Sequence, residues 1–141
     1  KDYPHDILAH ILETKAQDGI IKAEDMDQMI DEFTTFFVAG QETTGQLLSF
    51  TCEFVGRNPD VYKKLQEEID RVIGDKEDIT YNDTCQLEYM NLVFKEVLRI
   101  APPVVEVQRT NANDSIINGL TIPAGSNIGL SIYALGRDER Y

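Results

Sequence analysis

Basic residues are what this sequence has least of for its size. Only 13 lysines and arginines stand against 25 aspartates and glutamates, a formal charge of −12 at pH 7. A field of that sign repels phosphate and anionic bilayers, and no local basic cluster offsets it, so the charge argues against nucleic acid and against an anionic membrane surface as partners. Cysteine is scarce as well. Cys52 and Cys85 lie far apart with no second ligand at metal spacing, which excludes a zinc site and reads as two free thiols of a reducing compartment. No apolar run approaches the ~20 residues of a membrane span. No signal peptide, internal repeat or low-complexity tract is present. With 42% hydrophobic and 27% charged residues, the chain is neither disordered nor fibrous. Its 141 residues fit one domain or a piece of one. An opening on Lys1 without methionine and an end at Tyr141 in a polar turn read as a fragment, a single partial domain over 1–141.

What is present is mostly helical. Ile7, Leu8, Ile11 and Leu12 predict a helix over Asp6 to Lys15, ended by Gln17-Asp18-Gly19. After a link of Ile20, Ile21 and Lys22, acidic Glu24, Asp25 and Asp27 suit the positive end of a helix dipole. A long helix then runs from about Ala23 to Arg57. Asn58 caps the next helix and Pro59 takes its first turn. Val61, Leu65, Ile69 and Val72 form its buried stripe, and Gly74 ends it. Lys63, Lys64, Glu67, Glu68 and Arg71 read as its solvated face. Thr80-Tyr81-Asn82-Asp83 resembles a capping box opening a short helix to about Leu87. A further helix spans Tyr89 to Ile100, with Leu92, Val93, Val97 and Leu98 inward, and Pro102-Pro103 stops it. Beyond it, Asn118-Gly119 predicts a type I′ hairpin between 115–117 and 120–122. Pro123-Ala124-Gly125 turns again, and Asn127 to Leu135 alternates as a strand. The class is α+β, mainly α: a long central helix, three to four others, and a small antiparallel sheet at the C-terminal end.

Two stretches carry chemistry. The long helix has apolar residues on more than one face, as in a helix buried within a larger protein. Through its middle run Ala39, Gly40, Gln41, Glu42, Thr43 and Thr44. Gly40 costs about 1 kcal/mol against alanine there. The hydroxyl of Thr43 is placed to bond the Ala39 carbonyl and bend or open the ladder. A shallow groove flanked by a hydroxyl and a carboxylate is the expected result, a place for a small molecule and a proton. The second stretch is Glu96-Val97-Leu98-Arg99, a carboxylate and a guanidinium on one helix face. Taken alone it reads as a surface pair worth ~0.2–0.5 kcal/mol; with Glu96 between Phe94 and Leu98 in a helix that ends in Pro-Pro, the other reading is a buried planar fork.

In this order and spacing, the two motifs resemble the haem-thiolate monooxygenases, the cytochrome P-450 family. Asn58-Pro59, Pro102-Pro103, Arg109, the 119–125 hairpin and Gly136-Arg137-Asp138 look like that family too, so the resemblance covers the whole chain. Among its branches, the helix text and 133–137 look most like the cholesterol 24-hydroxylases.

The resemblance implies haem b lying against the Gly40 to Thr44 face, its iron held by a cysteine thiolate. It makes Ala39 and Gly40 the oxygen groove, Thr43 the donor to bound oxygen and Glu42 the proton relay. Arg109 matches a contact to a haem propionate, so Arg109, Gly40 and Thr43 form the cofactor side. Glu96 and Arg99 match a structural salt-bridge pair. Phe36, Phe37, Leu47, Val104, Val105 and Val107 match substrate-pocket lining, suited to a lipophilic substrate. The implied reaction inserts one oxygen atom of O2 into a C–H bond of a sterol or fatty acid, with NADPH-derived electrons delivered by a reductase. The implied location is the cytosolic face of the endoplasmic reticulum membrane, through an anchor outside this chain.

The family's cysteine loop has no counterpart in 1–141 and is expected beyond Tyr141, so neither Cys52 nor Cys85 reads as the iron ligand. Gly136 stands where many members carry histidine. His5 and His10 read as surface residues, and the tyrosines as core or rim packing. The competing reading is an acidic helical interaction module without cofactor or catalysis, which leaves Gly, Glu and paired Thr in an apolar helix unexplained.

Overall fold

A computed structural model describes residues 5–15 and 22–140, with backbone alone at 23 and 24. The expected helix stop at 17–19, the 20–21 link, the side chain of Glu24 and Tyr141 lie outside what it describes. Two compact units emerge, one up to Thr44 and one from Gly45 onward.

In the first unit, α1 covers Ile7–Lys15. Asp6 caps it, its carboxylate accepting the Ala9 N–H at 2.8 Å. The long helix α2 spans Ala23–Arg57, and its first part belongs to this unit. Ile11 and Met29 are buried, and Lys15 pairs with Glu32 at 3.7 Å. His5 and His10 are both exposed.

The second unit continues with α3, Pro59–Val72. Leu65 and Val72 are buried and Val61 and Ile69 half-buried, as their spacing requires. Asn58 occupies the capping position without capping: its amide donates to the Phe54 carbonyl at 2.7 Å and closes the end of α2 instead. Gly74 follows with φ +55°, a conformation costly for any residue with a Cβ, and its N–H reaches the Ile69 carbonyl. α4 is shorter than expected, Tyr81–Cys85, with the Thr80–Asp83 capping box in place. Asp83 is buried, and Lys76 Nζ bridges its carboxylate at 2.5 Å to the Val72 carbonyl at 3.2 Å.

α5 runs Glu88–Ile100 and packs against α3. Val97 is buried and Val93 and Ile100 are half-buried, one stripe at four and three. Leu92 and Leu98 lie about 100° to either side of that stripe and are exposed, contrary to the expectation that both point inward. Glu68 departs furthest from its reading as solvated surface. It is 5% exposed and spaced with Leu65 and Val72 on the buried face of α3.

The sheet region holds two antiparallel pairs. β1, Glu106–Thr110, pairs with β4, Asn127–Ser131, placing Arg109 opposite Ile128. The β1 strand has no sequence signature, because four of its five residues are exposed and no alternation marks it. β2, Ser115–Ile117, and β3, Leu120–Ile122, form the expected hairpin, with positive φ at both Asn118 and Gly119. The strand expected to reach Leu135 stops at Ser131, whose hydroxyl accepts the Ala134 N–H at 3.2 Å and starts α6, Ile132–Leu135. A serine cap outcompetes the alternation there, because a short helix satisfies the backbone locally.

Candidate functional site

In α2, the Thr43 hydroxyl donates to the Ala39 carbonyl at 2.7 Å. The same i−4 bond recurs at Thr35 to Asp31, Ser49 to Gly45 and Thr51 to Leu47. These bonds do not open the ladder: α2 is α-helical throughout, without a 3₁₀ or π turn. The expected groove is therefore a missing side chain on an intact helix. An added Cβ on Gly40 would meet nothing within 4 Å. Ala39, Gly40 and Glu42 are exposed and Thr43 is half-buried. Phe36 and Phe37 are 54% and 59% exposed, so this face has apolar side chains without cover. Phe36, Phe37, Ala39, Gly40, Glu42 and Thr43 belong to the first unit.

The remaining candidates belong to the second unit. Leu47 and Val107 are half-buried, and Val104 and Val105 are exposed. Arg109 is exposed on β1 and spends one guanidinium N–H on the adjacent Gln108 carbonyl at 2.7 Å, leaving donors for an anion. A cavity of about 540 Å³ lies by His5, His10, Ile11 and Phe36, and one of about 380 Å³ by Phe54, Tyr89, Leu92 and Glu96. Thr43, Glu42 and Arg109 line neither.

The Glu96–Arg99 fork is present: Nε donates at 2.7 Å and Nη2 at 2.6 Å to the two carboxylate oxygens. It is not buried, however. The side chains keep 56% and 48% of their exposure. The reason is rotational: Glu96 and Arg99 lie off the Val93–Val97–Ile100 stripe. The Arg99 hydrogen bond holds the Glu96 carboxyl below its ordinary range, and Glu96 raises the guanidinium in return. The third arm, Nη1, donates to the Gly136 carbonyl at 2.7 Å. Arg137 adds a second tie, donating to the Ile100 carbonyl while its guanidinium lies 3.6 Å from the Tyr133 ring centroid.

Sequence reasoning missed the role of Glu68. Its carboxylate accepts the Tyr89 N–H at 2.8 Å and the Met90 N–H at 2.9 Å, capping α5 from another helix. Burial pushes its pKa up, but these donors and Arg71 outweigh burial and leave it lowered. The signal was legible in the Leu65, Glu68, Val72 spacing, which puts a carboxylate on an apolar stripe. Tyr89 also has a partner, Lys64, 5.9 Å from its ring centroid.

Cys52 and Cys85 are exposed free thiols, and among the described residues no group of three His, Cys, Asp or Glu could hold a metal. None of the described helices is long and apolar enough to cross a membrane.

The family model described as Cytochrome P450 matches residues 1–141. Cytochrome P450 3A5 of Homo sapiens is 43% identical over 106 residues, 75% of this chain and 21% of its own length. Cytochrome P450 3A13 of Mus musculus is 38% identical over 114 residues, 81% of this chain and 23% of its own. Cytochrome P450 3A6 of Oryctolagus cuniculus is 38% identical over 120 residues, 85% and 24%. The chain thus spans no more than about a quarter of the length of these relatives. Their 3A names do not support the cholesterol 24-hydroxylase likeness.

Proposed function

This chain belongs to the cytochrome P450 family, and on that premise we propose that it is part of a haem-dependent monooxygenase. The reaction is insertion of one oxygen atom of O2 into a C–H bond of a lipophilic substrate, with a sterol or a fatty acid as the first class to try. Electrons come from a reductase partner, and the protein sits at the cytosolic face of the endoplasmic reticulum membrane. Residues 1–141 form part of one domain in this reading. The cofactor-free acidic module is not favoured, because the family match covers the whole chain.

The observation that carries the reading is the family match over residues 1–141; the open surface at Gly40, one turn of helix before the Thr43 hydroxyl, is where the oxygen chemistry is proposed. Each unit, taken by itself, has one feature that suits a haem. The Phe36, Ala39 and Gly40 surface is apolar and uncovered, which suits a flat porphyrin. The free donors of Arg109 suit a propionate. The exposed thiols are not offered as iron ligands; the family's Phe-x-x-Gly-x-x-x-Cys loop is the expected source of the thiolate. When bound, thiolate-ligated haem supplies the O–O cleavage chemistry.

The chain's own contribution is positional. The absent Cβ of Gly40 leaves room for a diatomic molecule on the helix surface. Thr43 Oγ1 holds its proton on the Ala39 carbonyl and turns it toward the groove when a better acceptor arrives. Glu42, exposed to water, resupplies that proton. For the substrate, the first unit offers the apolar side chains of Phe36 and Phe37, and the second unit those of Leu47, Val104, Val105 and Val107.

The deciding experiment is the reduced, carbon-monoxide-treated difference spectrum of the full-length protein. The band characteristic of thiolate ligation is expected. A haem protein without it, or no haem at all, overturns the proposal.

A further inference from the structure

The helix that carries the Glu96–Arg99 fork packs on α3 and is also hydrogen-bonded from other elements at both of its ends. Of its side chains only Val97 is buried, while Leu92 and Leu98 stay exposed. Its own capping position, Leu87, offers no side-chain acceptor to the first turn. The carboxylate of Glu68 serves that turn from α3, twenty-one residues upstream of Tyr89, with one oxygen on each of two N–H groups. At the other end the guanidinium of Arg99 grips Gly136, and Arg137 grips Ile100. The two clamps act at opposite ends of a helix of 13 residues, about 20 Å long. A helix is stiff along its axis, so a change in its starting position is delivered to its far end.

The geometry points to Glu68 as a positioning residue: by capping the first turn of α5 from α3, it sets where the far end of α5 presents the Glu96–Arg99 fork. Other groups near Glu68 do not explain its burial as well. Arg71 approaches only to 3.7 Å and is itself exposed, so it leaves the carboxylate's main bonds to the backbone. Lys64 is engaged over the Tyr89 ring. A carboxylate is the one side chain of this length that can accept both N–H groups without offering a proton to either. A glutamine would serve one N–H and confront the other with its own amide hydrogens.

The test uses the full-length chain with E68A, E68Q and R99K, the last keeping the charge while losing the fork. Amide exchange comes first and needs no cofactor. In E68A the Tyr89 and Met90 amides should exchange about tenfold faster, the effect of losing one charge-assisted hydrogen bond. The acceleration should extend to the peptides carrying Arg99 and 136–138, and E68Q should fall between. Should E68A not fold, E68Q carries the comparison. The second readout, the rate of haem loss to an excess of an acceptor apoprotein, rests on the monooxygenase reading. If Glu68 acts through the fork, E68Q/R99K loses haem no more than about twofold faster than R99K alone. Multiplying rates, or exchange that quickens only in the first turn, overturn the proposal. A wild-type chain that takes up no haem sinks the monooxygenase reading instead, and the exchange result still decides the role of Glu68.

Discussion

Gly136 and Arg99 hold each other at both ends of one contact. The Arg99 guanidinium donates to the Gly136 carbonyl at 2.7 Å, while a Cβ on Gly136 would come within 2.5 Å of the Arg99 carbonyl oxygen. The close approach that makes the first interaction is what excludes a side chain from the second. G136A should therefore push α6 away from the end of α5 and cost about 1–3 kcal/mol, the range for overpacking a tight site. A denaturant midpoint measured on the full-length protein checks it. An unchanged midpoint means the two segments separate freely.

Breaking the fork from its acidic side should be mild. With both side chains about half exposed, E96Q leaves Arg99 solvated and still bonded to Gly136. The expected loss of stability is at most about 1 kcal/mol in this unit, since water screens the pair. A loss of several kcal/mol on chemical unfolding would mean the fork is covered in the intact protein, as its resemblance to the family's structural pair implies.

Removing the hydroxyl of Thr43 should separate electron use from product. T43A deletes a donor held at 2.7 Å from the Ala39 carbonyl but leaves the apolar surface around Gly40 unchanged. Haem content should stay as in the wild type, while a larger share of the electrons consumed appears as hydrogen peroxide. Product yield per electron equal to that of the wild type removes Thr43 from the proton path.

Acid should undo the clasp between the end of α3 and α4 only far below neutral pH. The hydrogen bond from Lys76, then those from Thr80, hold the Asp83 carboxyl down at about 2, against an ordinary value of 3.8. A depressed folded-state pKa means the stabilisation is complete above the ordinary value and is lost as pH falls from there through about 2. D83N should flatten the stability profile across that window alone. A carboxyl resonance of Asp83 titrating near 3.8 in the folded protein contradicts the clasp.

Much of the helical layer was legible in residue order, because local rules govern it. Pro59 and Gly74 bracket α3, the box of Thr80 and Asp83 opens α4, and Asn118-Gly119 turns the hairpin; each acts within five residues of itself. The candidate site was legible to the same depth. The bond from Thr43 to Ala39 follows from helix geometry, though the same geometry forms it at Thr35, Ser49 and Thr51, so the bond alone singles out nothing.

Residue order determined the long helices, the Thr80–Asp83 box, the hairpin and the family, since periodicity, turn chemistry and motif spacing are written along one dimension. Only the tertiary structure decided that Glu68 finds its partners in the first turn of α5 and that the Glu96–Arg99 pair reaches Gly136. It also decided that β1 exists, by pairing it with β4. In each case the partner lies on another element or across a turn. A buried polar group must find its hydrogen bonds wherever the fold places them, and that address is spatial.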